Sequence, residues 1–194
     1  MTQAEFILSL VGFPGFFVDI GAYDGVSNSN TYLLEQSGWS GICFEANPNV
    51  FPRLQQNRTC SCFNIGISDE NCDNQSFIVV EGYAEQISCI LKHTPQEHLD
   101  RIEYDLKGGS QSIQFIKTKR FSDIIYNKDI TYLSIDAETH EMAILSGIDF
   151  DYYNIKYVSF ERNNYDKNDC GKFLESKGYK FIQQIAADHF YVKS

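Results

Sequence analysis

The run FFVDIGAYDGVSNSNT at residues 16–31 constrains the fold more than any other stretch. FFVDI (16–20) is a continuous apolar segment that stops at a glycine, the pattern of a strand buried on both faces. Gly21 and Gly25 then supply a turn. Residues 29–37 read as a helix, with Ser29 or Asn28 as N-cap and Tyr32, Leu33 and Leu34 facing inward. The same alternation recurs downstream. GICFE (41–45), CFNIGI (62–67), TYLSID (131–136) and YVSFE (157–161) read as further strands. Asn47-Pro48 looks like the N-cap and first residue of a helix whose start slips to 49 or 50 because of Pro52. Residues 139–147 and 169–178 read as helices closed by Gly147 and Gly178, and YKFIQQI with HFYVK forms a terminal hairpin. Strands alternating with helices dictate a mostly parallel sheet in an α/β sandwich, and 194 residues suffice for one such domain over 1–194. SFIVV (76–80) and QFIKTKRF (114–121) are strands or a hairpin outside the alternation. Between them, residues 84–113 hold an amphipathic stretch, TPQEHLDRIEY, and a GGS loop, an excursion expected to be a substrate-side insertion or lid.

In open parallel sheets ligands bind beyond the carboxyl ends of the strands. The loops after 20, 45, 67, 136 and 161 carry Asp19, Gly21, Asp24, Glu45, Asp69, Asp136, Glu138 and Glu161. Nearly every strand therefore ends in a carboxylate. The spacing Gly21-x-x-x-Gly25 fails the dinucleotide pattern, and no phosphate-binding loop exists. Two carboxylates at the turn would also repel a pyrophosphate. The turn suits a nucleoside that carries positive charge, and S-adenosylmethionine, with its sulfonium and ammonium, is such a molecule. Glu45, twenty residues after Gly25, is placed to accept both ribose hydroxyls, and Asp69 to meet the adenine edge. The plainer alternative is a structural turn in which each aspartate caps a helix.

Composition narrows the partners. A formal net charge of −10, with KTKR at 117–120 as the only basic knot, disfavours nucleic acid. The cysteines at 43, 60, 62, 72, 89 and 170 include no C-x-x-C pair, only the C-x-C of Cys60 and Cys62, and are expected to be reduced. FILSLVGFPGFFV (6–18) lacks the basic start of a secretory signal, and no stretch has the length of a membrane span. The expectation is a cytoplasmic protein whose sequons at Asn57 and Asn74 stay unmodified.

VDIGAYDGVSNSNT followed by LEQSGWSGICFEANPNVFPRLQQNR resembles the opening of the FkbM family of S-adenosylmethionine-dependent methyltransferases. YLSIDAETHEMAILSGIDF resembles that family's second signature, an Asp-x-Glu-Gly-x-Glu run after the fourth strand. YVSFERN is similar to the strand and acid that follow, and AEQISCILKHTP to a less constant segment between the two. The resemblance spans about residues 16–193. It implies a Rossmann-like class I methyltransferase sandwich, with a mostly parallel seven-stranded sheet and a C-terminal antiparallel hairpin. It also implies an O-methyltransferase acting on sugars, glycans or natural products. Thr139 departs from the pattern by replacing the usual glycine. The candidate cofactor contacts are Asp19, Gly21, Ala22, Tyr23, Asp24, Gly25, Asn30, Glu45, Ala46, Ser68, Asp69 and Asp136.

Methylating an alcohol needs a base, or a metal that lowers the hydroxyl pKa. Asp136, Glu138, His140 and Glu141 crowd the mouth of the fourth strand, with Glu138 and Glu141 expected on one helical face. His140 is either the general base, with Asp136 and Glu138 positioning the acceptor, or a helix N-terminal residue bonded to a loop. Asp136, Glu138, Glu141 and Glu161 also offer oxygen ligands for Mg²⁺, Mn²⁺ or Ca²⁺. His93 and His98 either reach over the site or lie exposed, and Tyr23 either lines the acceptor pocket or packs. No Cys/His cluster has zinc-ligand spacing. Three classes stay open: a small-molecule or glycan O-methyltransferase, a methyltransferase of protein or nucleic acid, and a silent nucleoside-binding domain.

Overall fold

The computed structural model describes residues 1–92, 94–162 and 169–194. His93 lies outside the described residues, as does the Asn163 end of YVSFERN. The chain opens with α1 (Gln3–Leu10), an element the apolar run concealed. Its signal is a capping box: Thr2 accepts from the Glu5 amide, and the Glu5 side chain accepts from the Thr2 amide. Ala4, Ile7 and Val11 then make the buried stripe.

In chain order there follow β1 (Phe16–Ile20), α2 (Tyr32–Gln36), β2 (Ser40–Phe44), α3 (Phe51–Asn57), β3 (Ser61–Phe63) and β4 (Gly66–Ser68). Next come β5 (Cys72–Glu81), β6 (Cys89–Ile90), α4 (Gln96–Asp105), β7 (Ser110–Arg120) and β8 (Asp129–Ile135). The chain ends with α5 (Glu141–Ser146), β9 (Asn154–Glu161), α6 (Asp169–Ser176), β10 (Tyr179–Ile185) and β11 (Asp188–Lys193). The main sheet has seven strands in the order β10-β11-β9-β8-β1-β2-β3. Its strands run parallel from β9 to β3, and β11 pairs antiparallel with both β9 and β10. A second sheet, β4-β7-β5-β6, carries the long β5–β7 antiparallel pair.

Period-2 alternation sets what β1 buries on each face. Val18 and Ile20 join Leu133, Ile135, Ile144, Leu145 and Leu174 on one side. Phe17 joins Ile7, Leu34, Leu54, Tyr132 and Phe190 on the other. Asp19 shares the Phe17 face and so points into that second layer.

Four expectations need correction. CFNIGI is not one strand, because the chain leaves the main sheet at Asn64, whose amide donates to Glu45 O at 2.8 Å, and re-enters at β4 in the second sheet. The helix after Gly25 begins at Tyr32 rather than 29. Ser29 Oγ accepts from the Thr31 and Tyr32 amides one turn early, and Leu33 faces out at 39% exposure. The next helix starts at Phe51, which puts Pro52 in its first turn where a missing N–H costs nothing. Finally, the residue expected at helical phase with Glu141 is not helical: Glu138 has φ 45° and Thr139 φ 81°.

Candidate active site

The acidic turn stands on a buried arginine. Asp19 accepts from Thr31 Oγ1 at 2.5 Å, and Arg58, 5% exposed, lies 4.0 Å from the same carboxylate. Arg58 also pairs with Glu35 and donates to Gly25 O at 3.2 Å and Thr31 Oγ1 at 3.0 Å. Burial lifts Asp19, with Arg58 and Thr31 pulling against it. Burial would also raise Glu35, but hydrogen bonds from Thr59 and Arg58 outweigh it and hold the group at about 2. Gly21 is obligatory: at φ 83°, an added Cβ would sit 1.6 Å from Asp136 O.

Above this turn, at the carboxyl ends of the strands, opens a cavity of about 780 Å³. Asp19, Gly21, Ala22, Tyr23, Asn30, Glu45, Ala46, Asp136, Glu138, His140 and Glu161 all border it. Asp188, which opens β11, and Arg101 from α4 also line it, and neither was singled out in the sequence. The strand-end rule was applied only to the loops after 20, 45, 67, 136 and 161, so Asp188 had no flag. Arg101 comes from the excursion, which contributes Glu85, Gln86, Ile87 and Ser88 as well.

Other expected residues lie elsewhere. Asp24 is outside the wall, its Oδ1 accepting from the Val26 and Ser27 amides in a local cap. Those bonds, led by the Ser27 hydroxyl, overcome burial and lower its pKa. Gly25 packs on Arg58 and Leu54. Ser68 and Asp69, at the end of β4 and just after it, do not border the cavity. Ile65, Gly66 and Ile67 line the cavity in their place. Glu141 is turned from the cluster and accepts from the Ala137 amide at 3.0 Å.

Glu45 is held at both oxygens. Oε2 accepts from the Tyr23 amide at 2.8 Å and Oε1 from the Asn47 amide at 2.7 Å, while burial pushes the group up to about 7. The Tyr23 phenol donates to Glu85, tying the turn to the excursion. Carboxylate oxygens of Asp136, Glu138 and Glu161 lie within 4.8 Å of one another. Burial, then the charge of Glu161, pushes Glu138 up to about 8, with Arg101 at 3.4 Å opposing. Burial, then the charges of Glu161 and Glu138, raises Asp136. Burial and Asp188 raise Glu161, whose Oε2 is buried with no hydrogen-bond partner among the described residues.

His140 caps α5, is 2% exposed, and places Nε2 2.9 Å from Ser68 Oγ. The ring is thus held at the end of β4 while it borders the cavity. His98 is fully buried, with Nε2 3.1 Å from Ile87 O and Nδ1 3.8 Å from Glu138, so it is not an exposed histidine. Thr139 occupies a left-handed position natural to glycine, and its hydroxyl reaches Thr94 of the excursion at 3.5 Å.

The raised carboxylates make a signed prediction. Glu45 and Glu138 bind protons more tightly folded than unfolded, so their contribution opposes folding increasingly as pH rises from about 4.5 to about 8. A tenfold difference in proton affinity between the two states is worth about 1.4 kcal/mol. The ligand-free protein is expected to melt at a higher temperature at pH 6 than at pH 8. A flat or rising melting temperature across that interval would show the cluster to be solvated.

The Methyltransferase FkbM domain pattern matches residues 19–181. No curated protein matches the chain. Among solved structures it is similar to methyltransferase FkbM from Methylobacillus flagellatus KT, at 14% identity and a TM-score of 0.61, over 99% of this chain and 48% of that one. The chain thus spans about half the length of that protein. It is similar to a TehB-like SAM-dependent methyltransferase from Corynebacterium glutamicum, at 10% identity and a TM-score of 0.52, over 99% of this chain and 87% of that one. It is also similar to the SAM-bound magnesium protoporphyrin IX methyltransferase from Synechocystis PCC 6803, at 11% identity and a TM-score of 0.51, over 98% and 76%. At such identities the likeness is one of fold, the Rossmann-like sandwich. Among the described residues no helix is long and apolar enough to cross a membrane.

Proposed function

Because the chain belongs to the FkbM methyltransferase family, we propose that it transfers a methyl group from S-adenosylmethionine to a hydroxyl of a sugar, glycan or related small molecule. The observation that carries this reading is the setting of Glu45. Two backbone amides fix its carboxylate in the cavity wall, one on each oxygen. Each oxygen keeps a further lone pair, so the group is oriented in advance to accept a ribose diol. The donor set fits the rest of the cofactor. Asp136, Glu138, Glu161 and Asp188 form an electron-rich wall, and the buried Glu161 Oε2 lacks a donor among the described residues, which suits a sulfonium and an ammonium. Ala46, Ile67, Phe77 and Ile90 give an apolar surface for a purine.

Bound S-adenosylmethionine supplies an electrophilic methyl on a cationic sulfur. The protein's part is to place a hydroxyl oxygen about 3 Å from that carbon and remove its proton. We assign proton removal to Glu138, poised near neutrality, and orientation of the hydroxyl to Asp136. His140, held at Ser68, supports the loop that carries them. Residues 84–113 act as the acceptor-side cover, through Glu85–Ser88 and Arg101.

The reading is tested by calorimetry with S-adenosylhomocysteine. The wild-type protein is expected to bind it in the micromolar range and not to bind NAD. Glu45→Ala removes up to two charge-assisted bonds, each worth about 1.5–3 kcal/mol at most. Unchanged affinity in that variant would mean the ribose is held elsewhere, and no binding by the wild type would sink the cofactor assignment.

A further inference from the structure

The C-x-C pair noted in the sequence is not isolated in the fold. Cys43 of β2 stands directly opposite Cys62 of β3, and Cys60 precedes that strand. All three sulfurs lie within 4.8 Å of one another, and Cys43 Sγ is 3.5 Å from Cys60 Sγ. None forms a disulfide, and none lines the cavity. We propose that Cys43, Cys60 and Cys62 form a binding site for one soft d¹⁰ cation, Cu(I), held by three thiolates.

The dimensions fit such an ion. Three sulfurs in a plane about 2.3 Å from a central metal are separated by about 4.0 Å, between the closest spacing seen and its upper bound. No histidine nitrogen or carboxylate oxygen of the described residues joins the group, so the donor set is all sulfur and three-coordinate. Thiolates of that kind select Cu(I), whereas a structural Zn²⁺ site asks for four protein ligands. The site also has an entry. β3 is the edge strand of the main sheet, and Cys60 and Cys62 are half-buried while Cys43 is fully buried beneath them. Loading replaces up to three S–H protons, which leave to solvent, with one positive charge, so the filled site is net negative by up to two. Arg58 supplies positive charge beside all three sulfurs, against the hydrogen bonding among the thiols and the burial that raise Cys43 and Cys60.

The competing description is a small apolar packing contact among reduced cysteines, which predicts no retention of an ion. The full chain, reduced and kept anaerobic, would be titrated with Cu(I) against bathocuproine disulfonate. One equivalent is expected to resist the chelator and to show thiolate-to-copper absorption. Cys60→Ser/Cys62→Ser, changed at the half-buried positions, is expected to lose at least about 10²-fold in affinity while melting as the wild type does. Complete transfer to the chelator by the wild type, or equal retention by the double variant, overturns the site. Should that variant fold poorly, alkylation of the wild type decides: Cu(I) must protect Cys60 and Cys62 from iodoacetamide, and undiminished labelling overturns the proposal.

Discussion

Arg58→Leu is expected to destabilise the protein by about 3–5 kcal/mol, the cost of leaving a buried charge without its partner. Arg58 is 5% exposed and is the cation between Asp19 and Glu35, both of which are buried at the side chain. It also donates to Gly25 O and Thr31 Oγ1, and its guanidinium lies 5.4 Å from the Phe17 ring centroid. Leucine keeps apolar volume against Phe17 but leaves two buried carboxylates without the cation they share. The sign with pH follows from Glu35. Its folded pKa of about 2 lies below the unfolded value of 4.5, so its contribution is present above 4.5 and lost as pH falls toward 2. The variant should therefore lose most relative to wild type near neutrality and least in acid. Urea denaturation at pH 7 and pH 3 measures both. A loss below about 1 kcal/mol at pH 7 would mean that the turn rests on Gly21 and its backbone bonds alone.

That arginine marks the boundary of what the chain discloses when read in one dimension. β1, β2, β8 and β9 were legible because each is an apolar run closed by a glycine or an acid, a local signal. The carboxylates at their ends were legible because parallel topology forces those ends to one rim. Arg58 was not, since it lies 33 residues from the carbonyl it holds, and nothing near it in sequence distinguishes it from a surface arginine. Asp188 and Arg101 were missed for the same reason, one from the terminal hairpin and one from the excursion.

Other failures were local and had a stated cause. Thr2 and Glu5 spell a capping box, but the apolar run behind them drew a signal-peptide comparison instead. The helical pairing of Glu138 with Glu141 assumed right-handed backbone from 139 onward. Left-handed residues at 138 and 139 send Glu138 to the cavity and Glu141 back to the Ala137 amide. Thr139 bears the strain of that turn where glycine would not, and a position with φ near 80° is the kind of irregularity that propensity cannot reveal. The switch from β3 to β4 likewise depends on the Asn64 amide reaching Glu45 O, a bond that becomes visible only once both strands are placed.

Glu138→Gln is expected to lower kcat by about 10²–10⁴-fold, the usual contribution of a general base, with S-adenosylhomocysteine affinity changed little. Glutamine keeps the shape and the contact to Arg101 but cannot take a proton. The pH profile supplies the independent check. A base works deprotonated, so kcat/KM of the wild type should rise with pH through a limb near 8, set by burial and the charge of Glu161. That limb belongs to Asp136, Glu138 and Glu161 as a coupled group rather than to one side chain. A bound sulfonium and ammonium favour the ionised carboxylates, so kcat at saturating cofactor should show the limb at lower pH. His140→Ala discriminates the competing assignment. With its ring 2% exposed and held at Ser68, the histidine is expected to matter for the melting temperature, and the limb should keep its position when it is removed. An acid limb near pH 6.5 that disappears in His140→Ala, with Glu138→Gln within threefold of wild type, would move the base to the histidine. It would also require the loop around residues 138–140 to open when the acceptor binds.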